Sequence, residues 1–313
     1  MLLVAKLSGV RLFLLVKSDN FTTVNNLYKI YNMRKLLRLA FVALFCLVSV
    51  AMNAQADRVI KILTIGNSFS EDAVEQHLHD LAKAEDIKVI IGNMYIGGCS
   101  LERHLNNARD NKAAYKYRKI GLDGKKVETK SFALETALAD EQWDYVSFQQ
   151  NSGRSGQYDT WIASLPDLMA YVKARVPKKT KMVIHQTWAY DKTSKHKDFK
   201  NYNHDQDLMF NSILNAVHKV AKELGVKIIV PSGTAVQNAR TTPLGECITR
   251  DGYHLHKTYG RYVAACTWYE KIFKKNVMGN PYKPKDMTPE QQLAAQKSAH
   301  AAVRNPKKVQ TIK

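Results

Sequence analysis

An α/β fold, a three-layer α/β/α sandwich with helices covering both faces of a five-stranded parallel sheet, is predicted by three observations on this 313-residue chain. Short apolar runs of strand length alternate with amphipathic segments of helix length. Several of these runs stop at a glycine or proline before a polar or helical stretch, as strands do where a parallel sheet meets its ligand. No internal repeat or interdomain linker interrupts the alternation, and the 257 residues after position 56 suit one domain.

The elements follow in order. Arg58 to Ile65 is the first strand, ended by Gly66, and Glu71 to Glu85 is the first helix, with Leu78 and Leu81 on one face. Lys88 to Tyr95 is the second strand, ended by Gly97-Gly98, and Leu101 to Ala108 begins another helix. The lysine-rich stretch 110–130 carries a Leu-Asp-Gly-Lys turn and is expected as a hairpin or loop insertion. Ser131 to Gln142 reads as a helix capped by Ser131, and Asp144 to Gln149 as the third strand. Thr160 to Val176 is helical, with Pro166 kinking it or starting its main part. Lys181 to Thr187 is the fourth strand, followed by a polar loop from Ala189 to Asn203. Gln206 to Leu224 is a long helix expected to bury Leu208, Ile213, Leu214, Val217 and Val220. Val226 to Val230 is the fifth strand, Tyr259 to Phe273 the last helix, and 281–313 a Lys-, Pro- and Gln-rich tail expected as a surface strap or partly disordered.

The N-terminus reads differently. From Met33, Arg34, Lys35 and Arg38 precede an apolar run from Leu39 to Met52 and then Ala54-Gln55-Ala56. A basic start, a short apolar core and an A-x-A end are the parts of a secretory signal peptide. Translation is therefore expected to start at Met33, with cleavage after Ala56 and export to the periplasm or the outside. The apolar run is short for a bilayer span, so no membrane anchor is expected in the mature chain. Of the net charge of +19, the first 56 residues hold six, leaving +13. The lysines are dispersed and no nucleic-acid-binding motif accompanies them, so nucleic acid is not an expected partner. Cys99, Cys247 and Cys266 lack metal-ligand spacing and permit, without requiring, one disulfide.

Two motifs carry chemistry. Lys61 to Ser70, KILTIGNSFS, is a strand that stops at Gly66 and delivers Ser68 to a strand-to-helix turn. A serine there can face a cleft beside the N–H groups of the incoming helix, although serine is also a common helix cap. Near the other end, Asp251-Gly252-Tyr253-His254-Leu255 precedes the last helix. Its carboxylate can hold the imidazole in one tautomer while the other ring nitrogen faces the cleft. Asp-x-x-His alone would read as a helix cap with an exposed histidine; the two motifs together are far rarer.

Together they resemble the SGNH/GDSL hydrolase superfamily. GNSFS is similar to its first block and DGYHL to its last, Ile96 to Ser100 follows the second strand, and Phe148 to Ser152 the third. The resemblance spans Lys61 to Phe273 and implies a flavodoxin-like fold over 57–280. It implies Ser68, Asp251 and His254 as catalytic triad, and an oxyanion hole made by the Ser68 and Gly98 N–H groups and the Asn151 amide. Asn67 stands where that family usually has aspartate, and Gln150 and Ser152 flank Asn151 where Gly and Asp are commoner. The implied activity is a secreted serine esterase without metal or organic cofactor, acting on acylated carbohydrate or another small ester. A lipase, thioesterase or arylesterase, and a non-catalytic glycan-binding protein on the same scaffold, are the competing readings. His185, Gln186 and Trp188, ending the fourth strand, are expected to line the substrate pocket. His256 is expected as a surface neighbour of His254, Cys99 as small packing, and Arg154 as a solvated loop residue.

Overall fold

Parallel strands buried on both faces need apolar side chains on both, and the chain supplies them at its centre. In a computed structural model of the protein, the described residues are 58–313, with 2–7, 10–15, 28, 29, 31–33, 35–38 and 41. They fall in two units, residues 1–58 and 59–313. In the first, Leu2–Leu7 and Val10–Leu15 form an antiparallel hairpin with Leu2 opposite Leu15. The cleavage site expected after Ala56 lies outside the described residues, as does nearly all of the apolar run before it. Among the described residues no helix is long and apolar enough to cross a membrane.

The second unit is built on a mixed sheet. Its strands are β1 (Ile60–Gly66), β2 (Val89–Tyr95), β3 (Tyr115–Ile120), β4 (Lys126–Phe132), β5 (Tyr145–Phe148), β6 (Lys181–His185) and β7 (Ile228–Val230). Their spatial order is β4-β3-β2-β1-β5-β6-β7. The five strands β2, β1, β5, β6 and β7 are mutually parallel. The expected sheet of five parallel strands is therefore corrected to seven strands in a mixed sheet, because the 110–130 insertion joins it. Its hairpin pairs antiparallel to β2, with Ile91 opposite Ile120. The last strand, β4, is exposed almost throughout, and its lysines protect an otherwise open edge.

Helices cover both faces. On one lie α1 (Ser68–Val74), α2 (Leu78–Lys83), α8 (Ser232–Ala239), α9 (Tyr259–Phe273) and α10 (Pro289–Arg304). Here α9 packs on the other four. On the other lie α3 (Leu101–Arg109), α4 (Leu134–Asp140), α5 (Tyr158–Ile162), α6 (Leu165–Lys173) and α7 (Gln206–Glu223). The expected helix 71–85 is two, because His77 turns inward to bond Tyr282 Oη and the Lys257 carbonyl, both at 2.9 Å. Pro166 starts α6 rather than kinking one long helix. Ser131 lies in β4 instead of capping α4. On α7 the buried stripe runs through Met209, Phe210, Ile213, Val217 and Val220, which leaves Leu208 exposed. The expected strap contains α10, opened by a capping box at Thr288 and Gln291.

The chain reverses direction of travel across the sheet between β1 and β5, and an α/β sheet opens its ligand crevice at the carboxyl ends of such strands. Ser68 follows β1, Gly98 follows β2 and Asn151 follows β5. Helix α9 sets the far wall: a Cβ at Gly260 would stand 2.2 Å from the Ile248 carbonyl oxygen and 2.9 Å from Leu255 Cβ. Backbone cannot yield as a side-chain tip can, so Gly260→Ala is expected to cost about 1–3 kcal/mol of stability. An unchanged urea midpoint in that variant would show that the 248–255 loop is not pressed against α9.

Candidate active site

Ser68 is the first residue of α1, and Asn67 caps the helix by accepting the Phe69 N–H at 3.0 Å. The opening N–H groups of a helix have no intrahelical acceptor, which leaves the Ser68 N–H available to an oxyanion. The Asn67 amide does a second thing that aspartate could not do when ionised: its Nδ2 donates to the Cys99 carbonyl at 3.1 Å. That bond ties the Gly98 turn, where φ is +62°, to the serine turn. Across the crevice Asn151 Nδ2 lies 3.5 Å from the Gly98 carbonyl oxygen, while its Oδ1 accepts the Arg154 N–H at 3.1 Å. The Gln150 side chain fixes this turn, accepting the N–H groups of Leu101 at 3.0 Å and Asn151 at 2.9 Å.

The imidazole facing Ser68 arrives from the far end of the chain. His254 Nε2 lies 2.9 Å from Ser68 Oγ, and His254 Nδ1 lies 2.7 Å from Asp251 Oδ2. Asp251 Oδ1 also accepts the backbone N–H of His254 at 2.7 Å and of Tyr253 at 3.2 Å. Burial opposes the Asp251 charge, but the His254 ring and these N–H groups outweigh it, and its pKa lies below the usual 3.8. With Nδ1–H held by a carboxylate, Nε2 faces the serine hydroxyl as an acceptor. Serine, imidazole and carboxylate are thus in one hydrogen-bonded line.

Four anchors hold the loop carrying that line. Leu255 N–H donates to the buried Asp72 Oδ2 at 2.8 Å, and Asp72 Oδ1 receives Arg261 Nε at 2.8 Å. Asp72 sits four residues after Ser68 on the same helix, so α1 positions Ser68 and the His254 loop together. Trp188 Nε1 donates to the Tyr253 carbonyl at 2.7 Å, its ring stacked on Phe69 at 4.4 Å. Asp191 N–H donates to the Gly252 carbonyl at 2.8 Å, and the Thr249 hydroxyl donates to the Asp191 carboxylate. The loop closes on itself through Arg250 N–H to the His254 carbonyl at 2.9 Å.

The expected pocket residues prove to be support. His185, Gln186 and Trp188 have no exposed surface, so none meets a substrate, and that expectation is corrected. Two belong to buried networks instead. Gln149 Nε2 donates to Asn67 Oδ1 at 2.9 Å, so its Oε1 accepts from His185 Nδ1 at 2.7 Å, and His185 Nε2 accepts from Ser232 Oγ at 3.0 Å. Gln186 Oε1 accepts the Thr234 hydroxyl at 3.2 Å. His256 is a cap, accepting the Thr258 N–H at 3.2 Å. All three described cysteines are free; Cys99 is buried, and burial pushes its thiol up to about 12. Arg154 is exposed and faces Glu102 at 3.5 Å. Sequence reading missed Asp72; its spacing from Ser68 was the only available signal.

Residues 61–302 match the family described as a domain of unknown function, DUF4886, and the chain belongs to that family. It is similar to a DUF4886 family protein from Bacteroides uniformis ATCC 8492 of known crystal structure: 55% identity, TM-score 0.81, covering 82% of this chain and 98% of that one. A putative acylhydrolase from Bacteroides fragilis NCTC 9343 is 12% identical, with TM-score 0.42 over 68% of this chain and 85% of that one. An acetylxylan esterase from Geobacillus stearothermophilus is 12% identical, with TM-score 0.44 over 72% and 97%. At that distance neither likeness bears on the activity of this chain. No curated protein matches it.

Burial lowers the pKa of His185 and of His104 from 6.5 to about 3. Both are neutral in the fold, while in the unfolded chain they take up protons near pH 6.5. Their contribution to stability is full above that pH and falls as the pH drops toward 3, by about 1.4 kcal/mol per pH unit for each. Urea unfolding between pH 6 and 4 should show this slope, shallower by one proton in His185→Gln; equal slopes would mean that the folded state accommodates a charged His185.

Proposed function

We propose that this DUF4886 chain is a serine esterase that removes acetyl or similar small acyl groups from carbohydrate. The observation that carries the reading is the line Ser68 Oγ, His254, Asp251, at 2.9 and 2.7 Å. His254 Nε2 takes the Ser68 proton as Oγ attacks the ester carbonyl, and Asp251 stabilises the imidazolium. The oxyanion is met by the Ser68 N–H, with the Gly98 N–H and the Asn151 amide at the neighbouring strand ends. Collapse breaks the ester C–O bond, and the imidazolium protonates the departing alcohol. Water then attacks the acyl-serine, giving its proton to His254, and the acid leaves as Ser68 recovers the proton. The resemblance to SGNH/GDSL hydrolases supports the same roles.

Two features favour a small acyl group on a bulky alcohol. Gly98 is exposed and His254 partly so, and the apolar side chains beneath, Phe69 and Trp188, are packed against each other. The basic start, apolar run and A-x-A sequence before Asp57 support export.

Hydrolysis of p-nitrophenyl acetate is the direct test. Ser68→Ala should lower kcat by about 10³-fold or more, and Asn151→Ala by about 10²–10³-fold with little change in KM. Undiminished turnover in Ser68→Ala would remove the nucleophile and the triad reading with it. Acetate release from acetylated xylan should exceed turnover of p-nitrophenyl octanoate; the reverse preference would move the substrate to the lipid class. Protein recovered from the periplasm or medium should begin at Asp57, and a retained Met33 would overturn export by cleavage.

A further inference from the structure

At the edge of the sheet opposite Ser68, a cavity of about 940 Å³ opens between the starts of β5, β6 and β7 and the ends of α6, α7, α9 and α10. Six of its lining residues, Lys173, Lys181, Lys227, Lys271, Lys274 and Arg304, are cations that stand in no ion pair among the described residues. A seventh, Lys275, reaches Glu85 at 3.8 Å. The one carboxylate in the wall, Glu270, is already engaged, by His300 Nδ1 at 2.8 Å and the Val277 N–H at 3.1 Å. Half-buried, Lys271 has its pKa lowered by that burial, as an ammonium without a counterion should.

Part of this charge has a local explanation, since helix carboxyl ends attract cations and four helices end here. Lys181, 5.5 Å from the centre of the Tyr145 ring, and Lys227 lie instead at strand starts, where no helix end accounts for them. Met182, Leu224, Val226, Ile228 and Val303 supply apolar walls, and low-dielectric walls focus the field of a charged cleft on its ligand. We propose that this cleft binds an acidic oligosaccharide, its carboxylates set against the six cations and its sugar rings against the apolar walls. A single oxyanion would leave most of a cavity this size empty. A nucleic acid would meet one aromatic ring, Tyr145, where base stacking uses several.

Titration of the full chain with oligogalacturonate in 20 mM NaCl should show binding that weakens steeply toward 300 mM, as screening requires. The double variant Lys271→Glu, Lys274→Glu should weaken it by about tenfold or more, and Lys112→Glu, Lys125→Glu, reversing two remote exposed lysines, should leave it within about twofold. Absence of binding at low salt, or equal loss in both double variants, would overturn the site. Tighter binding of tripolyphosphate or single-stranded DNA than of oligogalacturonate would overturn the ligand. Activity on p-nitrophenyl acetate does not enter these readouts, so a failed esterase reading and a failed anion site are separately visible.

Discussion

Asp72 is the constraint on which the candidate site depends. Its side chain is fully buried, and it bonds the Leu255 N–H together with guanidinium groups of Arg261 and Arg250. Taking a carboxylate out of water is costly, and burial raises the pKa of Asp72 against the pull of those two arginines. What the burial secures is geometry. Ser68 and Asp72 share one short helix, so the clamp on Leu255 holds His254 at hydrogen-bond distance from the serine, though 186 residues separate the two in sequence. Removing a single partner from such a cluster would leave a charge stranded in the interior, typically costing about 3–5 kcal/mol.

Around this clamp the polar interior is organised as bridges between strand ends. Asn67 joins the turns after β1 and β2, and Gln149, the first residue after β5, joins Asn67 to His185 at the end of β6. Asn93 on β2 accepts the hydroxyls of Thr64 at 2.8 Å and Ser70 at 2.9 Å, and donates to Glu75 at 2.6 Å. Arg118 on the inserted hairpin reaches Glu71 on α1 at 2.9 Å. The insertion therefore braces the helix that carries the serine as well as extending the sheet.

Much of this was legible in the sequence, for identifiable reasons. The parallel strands announce themselves because both faces are buried, so Ile62, Leu63 and Ile65 stand in one short run interrupted only by the buried Thr64. Ser68 and the Asp251–His254 pair stand out because each sits at a break between elements, where side chains are free to serve chemistry. Helix α8 was missed: all eight residues are buried, which erases the amphipathic period, and Gly233 and Asn238 argue against a helix locally. The 110–130 stretch was expected as a hairpin or loop, but its place in the sheet was missed because β4, a lysine-rich edge strand, lacks the apolar signal of a central one. His185 and Trp188 were misassigned because a polar or aromatic residue at a strand end reads alike whether it faces the crevice or supports its floor.

His254 and the carboxylate that orients it travel on one loop, three residues apart, while Ser68 stands at the start of α1, just beyond the central strand β1. Local opening of residues 249–255 would thus withdraw both members at once and leave Ser68 in place without a proton acceptor. Loss of function by such fraying would be all-or-none for each molecule, with no population in which a misoriented histidine still works. On the proposed esterase reading, selection for a faster or hardier protein would then act mostly on the moorings of that loop, Asp72, Trp188 and Asp191, rather than on the triad itself.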